Sequence, residues 1–352
     1  MHNMAVTVPR QARLHRRRGL AAPAPGVSSP AVNAQDQRLP VRTVCVTGGA
    51  GFIGSHVAEA CVAAGYRTLV IDDLSSGRRE NVPAGAELHA LDIRSPAAAR
   101  LVETAGVDVL AHFAAQMDVR RSVADPLFDA DVNVLGTLNL LEAARRGGVG
   151  QVLFASTGGA IYGEQERFPA GEDHPARPLS PYGVAKLAVE RYLFVYHAVH
   201  GLAAACLRFA NVYGERQSAH GEAGVVAIFL GRLLAGEAPT IHGDGRQTRD
   251  YLHVSDVVRA TLALLGHLLG QGGFHVYNVG TGIETSVLDL YREIARAAGS
   301  GLPARHGPAK AGEQQRSSVD ASRLRRDLAL PPPLPLGEGI ARTAAWFRER
   351  RE

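Results

Sequence analysis

Cysteine is scarce in this chain of 352 residues: Cys45, Cys61 and Cys206 are its only three, and they stand far apart. An odd, dispersed set of thiols gives neither a disulfide framework nor zinc-ligand spacing, so no metal is expected. Long apolar runs are missing too. Although 46% of residues are apolar, no stretch approaches the eighteen or so that a membrane helix requires, and no membrane partner is expected. With 20% charged residues the balance is that of a globular, cytoplasmic protein, long enough for one large or two ordinary domains. Net positive charge is also lacking in the body of the chain. The isoelectric point near 9.1 suggests nucleic acid, but residues 1–40 carry six arginines and one acid, a net of +5 within a whole-chain +4. What remains is close to neutral and has no basic footprint for a nucleic-acid partner.

Those first forty residues are rich in Ala, Pro, Ser and Arg, show no helical or strand period, and are expected to be disordered. Arg16–Arg18 followed by Gly19–Val32 imitates an export signal, but Pro23, Pro25 and Pro30 make its apolar part a poor helix. A translation start set too far upstream is another reading of this tail.

Order is expected from Val41. A β-branched run, Arg42–Thr47, leads into Gly48-Gly-Ala-Gly51-Phe-Ile-Gly54 and then a helical pattern over His56–Ala64. Strand, glycine turn and helix together make a phosphate site, because the turn lets the backbone approach and the helix N-terminus offers free N–H groups. A second strand from Arg67 ends at Asp72, eighteen residues after Gly54, where a carboxylate accepts both ribose hydroxyls of an adenosine. Asp72 and Asp73 would repel a 2′-phosphate, which favours NAD over NADP. Strands near Ala86–Ala90, Val107–Phe113, Gln151–Ser156 and Leu202–Phe209 alternate with helices near Ala97–Ala105 and Pro126–Arg146, the order of a doubly wound parallel sheet. Asp92 and Ile93 fall at a strand's carboxyl end, and the small run after Phe113 suits a backbone passing close to a cofactor. After Asn211-Val-Tyr-Gly214 the alternation stops, and a smaller mixed α/β lobe is expected.

Tyr182-Gly-Val-Ala-Lys186 follows Ser180-Pro181 at a helix start. A tyrosine and a lysine four apart share one helix face, and a nearby ammonium favours the phenolate, lowering a pKa that is ordinarily near ~10. The spacing alone equally fits a tyrosine packed at a helix edge beside a solvated lysine. Ser156 and Thr157 end the preceding strand, where a hydroxyl meets a substrate oxygen or caps the turn.

With these segments together the chain resembles the extended short-chain dehydrogenase/reductases, and within them the NAD-dependent nucleotide-sugar epimerases of the UDP-glucose 4-epimerase type. The motifs are Thr47–Gly54, Asp72–Ser75, His112–Gln116, Ser156–Gly163, Tyr182–Lys186, Leu207–Gly214 and Gly243–Asp250. The resemblance implies a Rossmann-type domain over 42–208, with about 250–283 returning to it, and a substrate lobe from 209–249 and 284–350. It implies a cofactor cleft of Gly48, Gly51, Phe52, Ile53, Gly54, Asp72, Asp73, Leu74, Ser75, Gly77, Asp92, Ile93, Phe113, Ala114, Ala115 and Asn133, with Lys186 on the nicotinamide ribose. Tyr182 would be the base, helped by Thr157 or Ser156, and Lys186 would act through its charge. Gln116, Thr157, Tyr182, Asn211 and Arg249 would meet the nucleotide sugar, a UDP-hexose, with a second phosphate contact from Lys310 or Arg316. A homodimer through the Tyr-Lys helix is also implied. Glu215 stands where the pattern has proline.

The implied chemistry is oxidation of a hexose at C4, rotation of the 4-keto sugar, and reduction from the other face. Related 4,6-dehydratases place an Asp-Glu pair after the Ser-Thr, whereas here Gly158-Gly159 follows. Epimerisation or decarboxylation of a UDP-uronic acid uses the same oxidation and stays open. A non-catalytic NAD-binding regulator would have lost Tyr182 or Lys186. Ser317 falls where a small residue would admit a 2-acetamido sugar.

Overall fold

The computed structural model describes residues 42–218, 224–267, 272–309 and 314–350. The expectations for the basic tail and for Lys310 lie outside these residues. From Thr43 the chain runs β1 (Thr43–Thr47), α1 (Phe52–Ala63), β2 (Arg67–Asp72), β3 (Ala86–Ala90), α2 (Pro96–Thr104) and β4 (Val109–His112). Three short pieces follow: α3 (Val119–Ala124), α4 (Pro126–Ala130) and a π-helical turn over Asp131–Gly136. Then come α5 (Thr137–Gly147), β5 (Gln151–Thr157), the single turn α6 (Gly158–Ile161), α7 (Pro181–His200) and β6 (Ala203–Phe209).

Helix ends are set locally. The hydroxyl of Ser95 accepts from Ala98 N at the start of α2, and that of Ser180 accepts from Gly183 N at 3.2 Å at the start of α7, each ahead of a proline. Both α5 and α7 stop at a glycine in the left-handed region, Gly148 and Gly201. The single helix expected over Pro126–Arg146 is instead interrupted by the π turn. Thr137 Oγ1 donates to the Asn133 carbonyl at 2.7 Å inside that turn, and Asn133 reaches across to the loop at Gln116. Tertiary hydrogen bonds thus take groups that a regular helix would keep to itself.

Beyond β6 lie β7 (Asn211–Tyr213), α8 (Val225–Leu234), β8 (Thr240–His242), β9 (Thr248–Arg249), β10 (Tyr251–His253), α9 (Val254–His267) and β11 (Phe274–Val279). The described chain ends with β12 (Thr285–Ser286), α10 (Val287–Ala298), β13 (Arg305–Gly307), α11 (Ser322–Asp327) and α12 (Leu336–Glu349).

Seven strands form one sheet in the order β11-β6-β5-β4-β1-β2-β3, every neighbouring pair parallel. Every residue of β1, β4 and β6 is buried, because helices cover both faces. On one face Leu140, Leu141 and Leu193 from α5 and α7 fill the core; on the other Val57, Val257 and Leu264 from α1 and α9 do so. A third core of Phe229, Leu290 and Ile340 joins α8, α10 and α12 into the smaller mixed lobe. The architecture is therefore the expected doubly wound parallel sheet with an added lobe. From β1 the chain proceeds outward to β2 and β3, then crosses to β4 on the other side. This reversal opens a crevice at the carboxyl ends of the strands.

Candidate active site

The glycine turn after β1 closes tightly on itself. Gly48 has φ +69°, and a Cβ added at Gly54 would lie 2.2 Å from the Gly48 carbonyl oxygen, so helix and turn meet at a distance only glycine allows. No side chain caps α1 at Gly51, which leaves first-turn N–H groups to an anionic ligand. Beside the turn, Asp72 Oδ2 accepts from Ala50 N and Oδ1 from Leu74 N, both at 2.9 Å. Burial, offset by those two bonds, raises its carboxyl above the usual range, with Asp73 adding to the rise. A Cβ at Gly77 would come within 2.7 Å of that carboxylate, so the glycine leaves it room. Asp73 Oδ1 accepts from the Ser75 hydroxyl at 2.6 Å, which fixes the loop rather than the crevice. Phe52 meets His56 edge-on, Ile53 packs partly into the core, and Phe113 stacks on Phe209 at 6.3 Å. Ala114 N donates to Thr47 Oγ1, tying the β4 loop to the turn with Ala115 next to it.

Three residues expected on this side are also held by groups of the protein. Arg94 holds Asp92 in an ion pair, below the usual carboxylate range, and bridges at 2.6 Å to Asp131. The Ile93 side chain is buried in the main core. Asn133, expected to approach the cofactor, has its amide filled: Oδ1 accepts from Gln116 N, and Nδ2 donates to Gln116 O and Asp129 Oδ1. Gln116, expected on the substrate, is likewise occupied. Its Nε2 donates to Asp118 O and Asp129 Oδ1, and its Oε1 accepts from Asp118 N at 2.7 Å. Both amides organise the loop after β4, which sequence spacing does not show.

Lys186 is buried on α7, with Nζ donating to Ala155 O at 2.9 Å and lying 4.7 Å from the Phe154 ring centroid and 5.7 Å from that of Tyr182. Burial lowers its pKa to about 8, while Asp129 pulls it back up. Also against Phe154, stacked at 5.9 Å, His112 is held neutral: burial first, then the Lys186 charge, drives it down to about 3. Tyr182 departs from expectation. Burial and then the negative Asp129 push its phenol above the ordinary value.

Thr157 Oγ1 accepts from Ala160 N at 3.2 Å, capping α6 and keeping its own proton to donate. The first turn of α7 presses on this turn so closely that a Cβ at Gly183 would sit 2.8 Å from Ala160 O. A Cβ at Gly159 would have Asn211 Oδ1 and Thr157 Oγ1 each at 3.9 Å, so these two groups border one small space. Gly158 offers no such room: its Cβ would meet Val319 at 2.7 Å. Ser156 is engaged elsewhere. Its hydroxyl donates to Glu190 Oε1 at 2.6 Å, inside a buried set in which Arg208 pairs with Glu190 at 2.6 Å and with the Tyr162 hydroxyl at 3.1 Å. Arg249 lies in β9 with Nη1 donating to Thr248 O, and Arg316 pairs with Glu284 at 2.6 Å over the Phe168 ring. Glu284 also accepts from Thr248 Oγ1, so Arg316 is anchored beside β9 with its charge partly neutralised. Glu215 takes the ring of buried His253 at 3.3 Å, and its carbonyl meets His56 of α1 at 2.9 Å. The residues that spacing did not reveal are Asp129, Glu190 and Arg208. Only Glu190, four after Lys186 on the same helix, carried a signal.

Residues 44–280 match the NAD dependent epimerase/dehydratase family, and the chain belongs to it. A UDP-glucose 4-epimerase of Mycolicibacterium smegmatis is 44% identical over 312 residues, covering 87% of this chain and 99% of that protein. Among solved structures, the UDP-glucose 4-epimerase of Thermotoga maritima with UDP-glucose is 40% identical with a TM-score of 0.83, over 88% of this chain and 100% of that one. The Thermus thermophilus UDP-glucose 4-epimerase in complex with NAD is 43% identical with a TM-score of 0.80, over 87% and 99%.

Proposed function

We propose that this protein is an NAD-dependent 4-epimerase of a UDP-hexose, UDP-glucose and UDP-galactose foremost. The uncapped start of α1, the glycine turn and Asp72 fit a dinucleotide, with Asp72 on the adenosine ribose and Lys186 on the nicotinamide ribose. When bound, NAD supplies the acceptor and later donor of a hydride, and in its oxidised form a positive charge. Tyr182 removes the proton of the sugar 4-hydroxyl and returns it. Thr157 donates a hydrogen bond to the same oxygen, and Asn211 and Arg249 hold the diphosphate while the 4-keto sugar turns. The pH range depends on keeping Lys186 charged, since its ammonium favours the phenolate.

The observation that carries epimerisation over dehydration is the wall at Gly158: Val319 leaves no space there for an acidic side chain, and Gly159 brings none. Residues 42–208 with 250–283 act as the cofactor domain and 209–249 with 284–350 as the substrate lobe. In support, β11 extends the main sheet and α8, α10 and α12 share a separate core. A homodimer is supported by an exposed apolar stripe, Val184, Tyr192, Val195 and Val199 on α7, continued by Val123, Leu127 and Leu135 on α3, α4 and the π turn. Three buried free cysteines support a reducing compartment, the cytoplasm. The test is incubation of the purified holoenzyme with UDP-glucose, UDP-N-acetylglucosamine or UDP-glucuronate, without reductant, and proton NMR of the products. A 4-epimer from one of them confirms the reaction and names the substrate; three unchanged sugars on an NAD-loaded protein overturn it.

A further inference from the structure

Nothing in the sequence separates Asp129 from the other acids of the 118–131 segment, yet its surroundings differ from theirs. It is 1% exposed on α4. Its Oδ1 accepts from two neutral amides, Gln116 Nε2 at 3.0 Å and Asn133 Nδ2 at 2.9 Å. Its Oδ2 is buried with no hydrogen-bond partner. A carboxylate withdrawn from water normally meets a cation directly, as Glu190 meets Arg208. Asp129 instead lies where α4 packs on the start of α7, along a groove of about 560 Å³ bordered by Asp129, Ala130, Ser180, Val184 and Ala185. Across that packing its charge reaches both Lys186 and Tyr182.

We propose that Asp129 is a positioning residue for the reaction: an incompletely bonded buried carboxylate that keeps the Lys186 ammonium charged and sets the pH range in which the Tyr182–Lys186 pair works. This rests on the reading of Tyr182 and Lys186 as the proton-transferring pair.

The other charged groups around Asp129 are already placed. On its own helix Asp125 caps α4, and Asp131 beyond it pairs with Arg94. On α3, Asp118 caps the helix and Arg121 lies 4.1 Å over the Phe128 ring; Arg120 stands between them. From α7, Tyr182 and Lys186 couple to it. Burial raises the Asp129 carboxyl itself, while the two amides and then Lys186 lower it again. Removing one negative charge disfavours every protonated form of a coupled base and ammonium, so both of their macroscopic steps move to lower pH together.

The experiment compares NAD-loaded wild type with Asp129→Asn, which preserves shape and the Oδ1 acceptor, and with Asp129→Ser as a smaller neutral variant should the first not fold. The pH profile of kcat is expected to move as a whole to lower pH, on the order of one pH unit on each limb. The ultraviolet tyrosinate difference between each holoenzyme and its Tyr182→Phe counterpart reads the same charge without any sugar, and its onset is expected at lower pH too. A profile that falls in height but keeps both limbs, with an unmoved tyrosinate onset, would show Asp129 to be neutral or merely structural. If wild type turns over no sugar while the tyrosinate onset still shifts, the substrate reading fails and the role of Asp129 stands.

Discussion

Helix α7 buries Glu190 against β5 and β6, and on its other flank it packs over Asp129 of α4. The first acid is fully satisfied: both oxygens bond Arg208, and one also takes the Ser156 hydroxyl. The second has one oxygen on neutral amides and the other on nothing. A closed ion pair cancels its own field and rigidifies what it touches, whereas an incompletely bonded carboxylate projects its charge onto neighbours. The two flanks therefore divide the work. One holds the floor of the site in place, and the other sets its protonation.

Tyr182→Phe gives the reference for both flanks. Turnover should fall roughly 10²–10⁴-fold with NAD still bound and the unfolding midpoint unchanged, because the proton acceptor is lost and the packing kept. Retained turnover would remove Tyr182 from the mechanism. Glu190→Gln sharpens the contrast, since breaking one partner of a buried pair costs about 3–5 kcal/mol in urea unfolding. The surviving enzyme should keep both limbs of its pH profile. If those limbs moved as far as in Asp129→Asn, the division between the flanks would be wrong. Smaller still is Ser317→Tyr. Ser317 is buried beside Ser318, whose N–H donates to Gln165, and filling the position should lower activity on UDP-N-acetylglucosamine relative to UDP-glucose. An unchanged ratio in paired assays would reject Ser317 as the gate.

Much of the cofactor side was legible in the sequence because its chemistry is local. A glycine turn between a strand and a helix, and an acid at the end of the next strand, use backbone groups whose placement follows from a few consecutive residues. The Tyr182–Lys186 pair was legible for the same reason, being fixed by one helical turn. Elsewhere spacing does not carry the geometry. Gln116 and Asn133 have the polarity of ligand contacts, but the π turn aims their amides at each other and at Asp129. Ser156 and Thr157 are adjacent hydroxyls with equal standing in the sequence. Alternation along β5 turns Ser156 towards Glu190, and the strand end leaves Thr157 at the α6 cap.

The sequence by itself determined the doubly wound order, the glycine turn, Asp72 and the helical pairing of Tyr182 with Lys186, since strand and helix periods and steric needs of glycine act over short range. Only the tertiary structure decided the electrostatics. Burial raises Tyr182 and lowers Lys186, and the acid that counters the second effect comes from 57 residues away along the chain. Desolvation and long-range charge depend on what folding packs around a group, and no local pattern of residues records that.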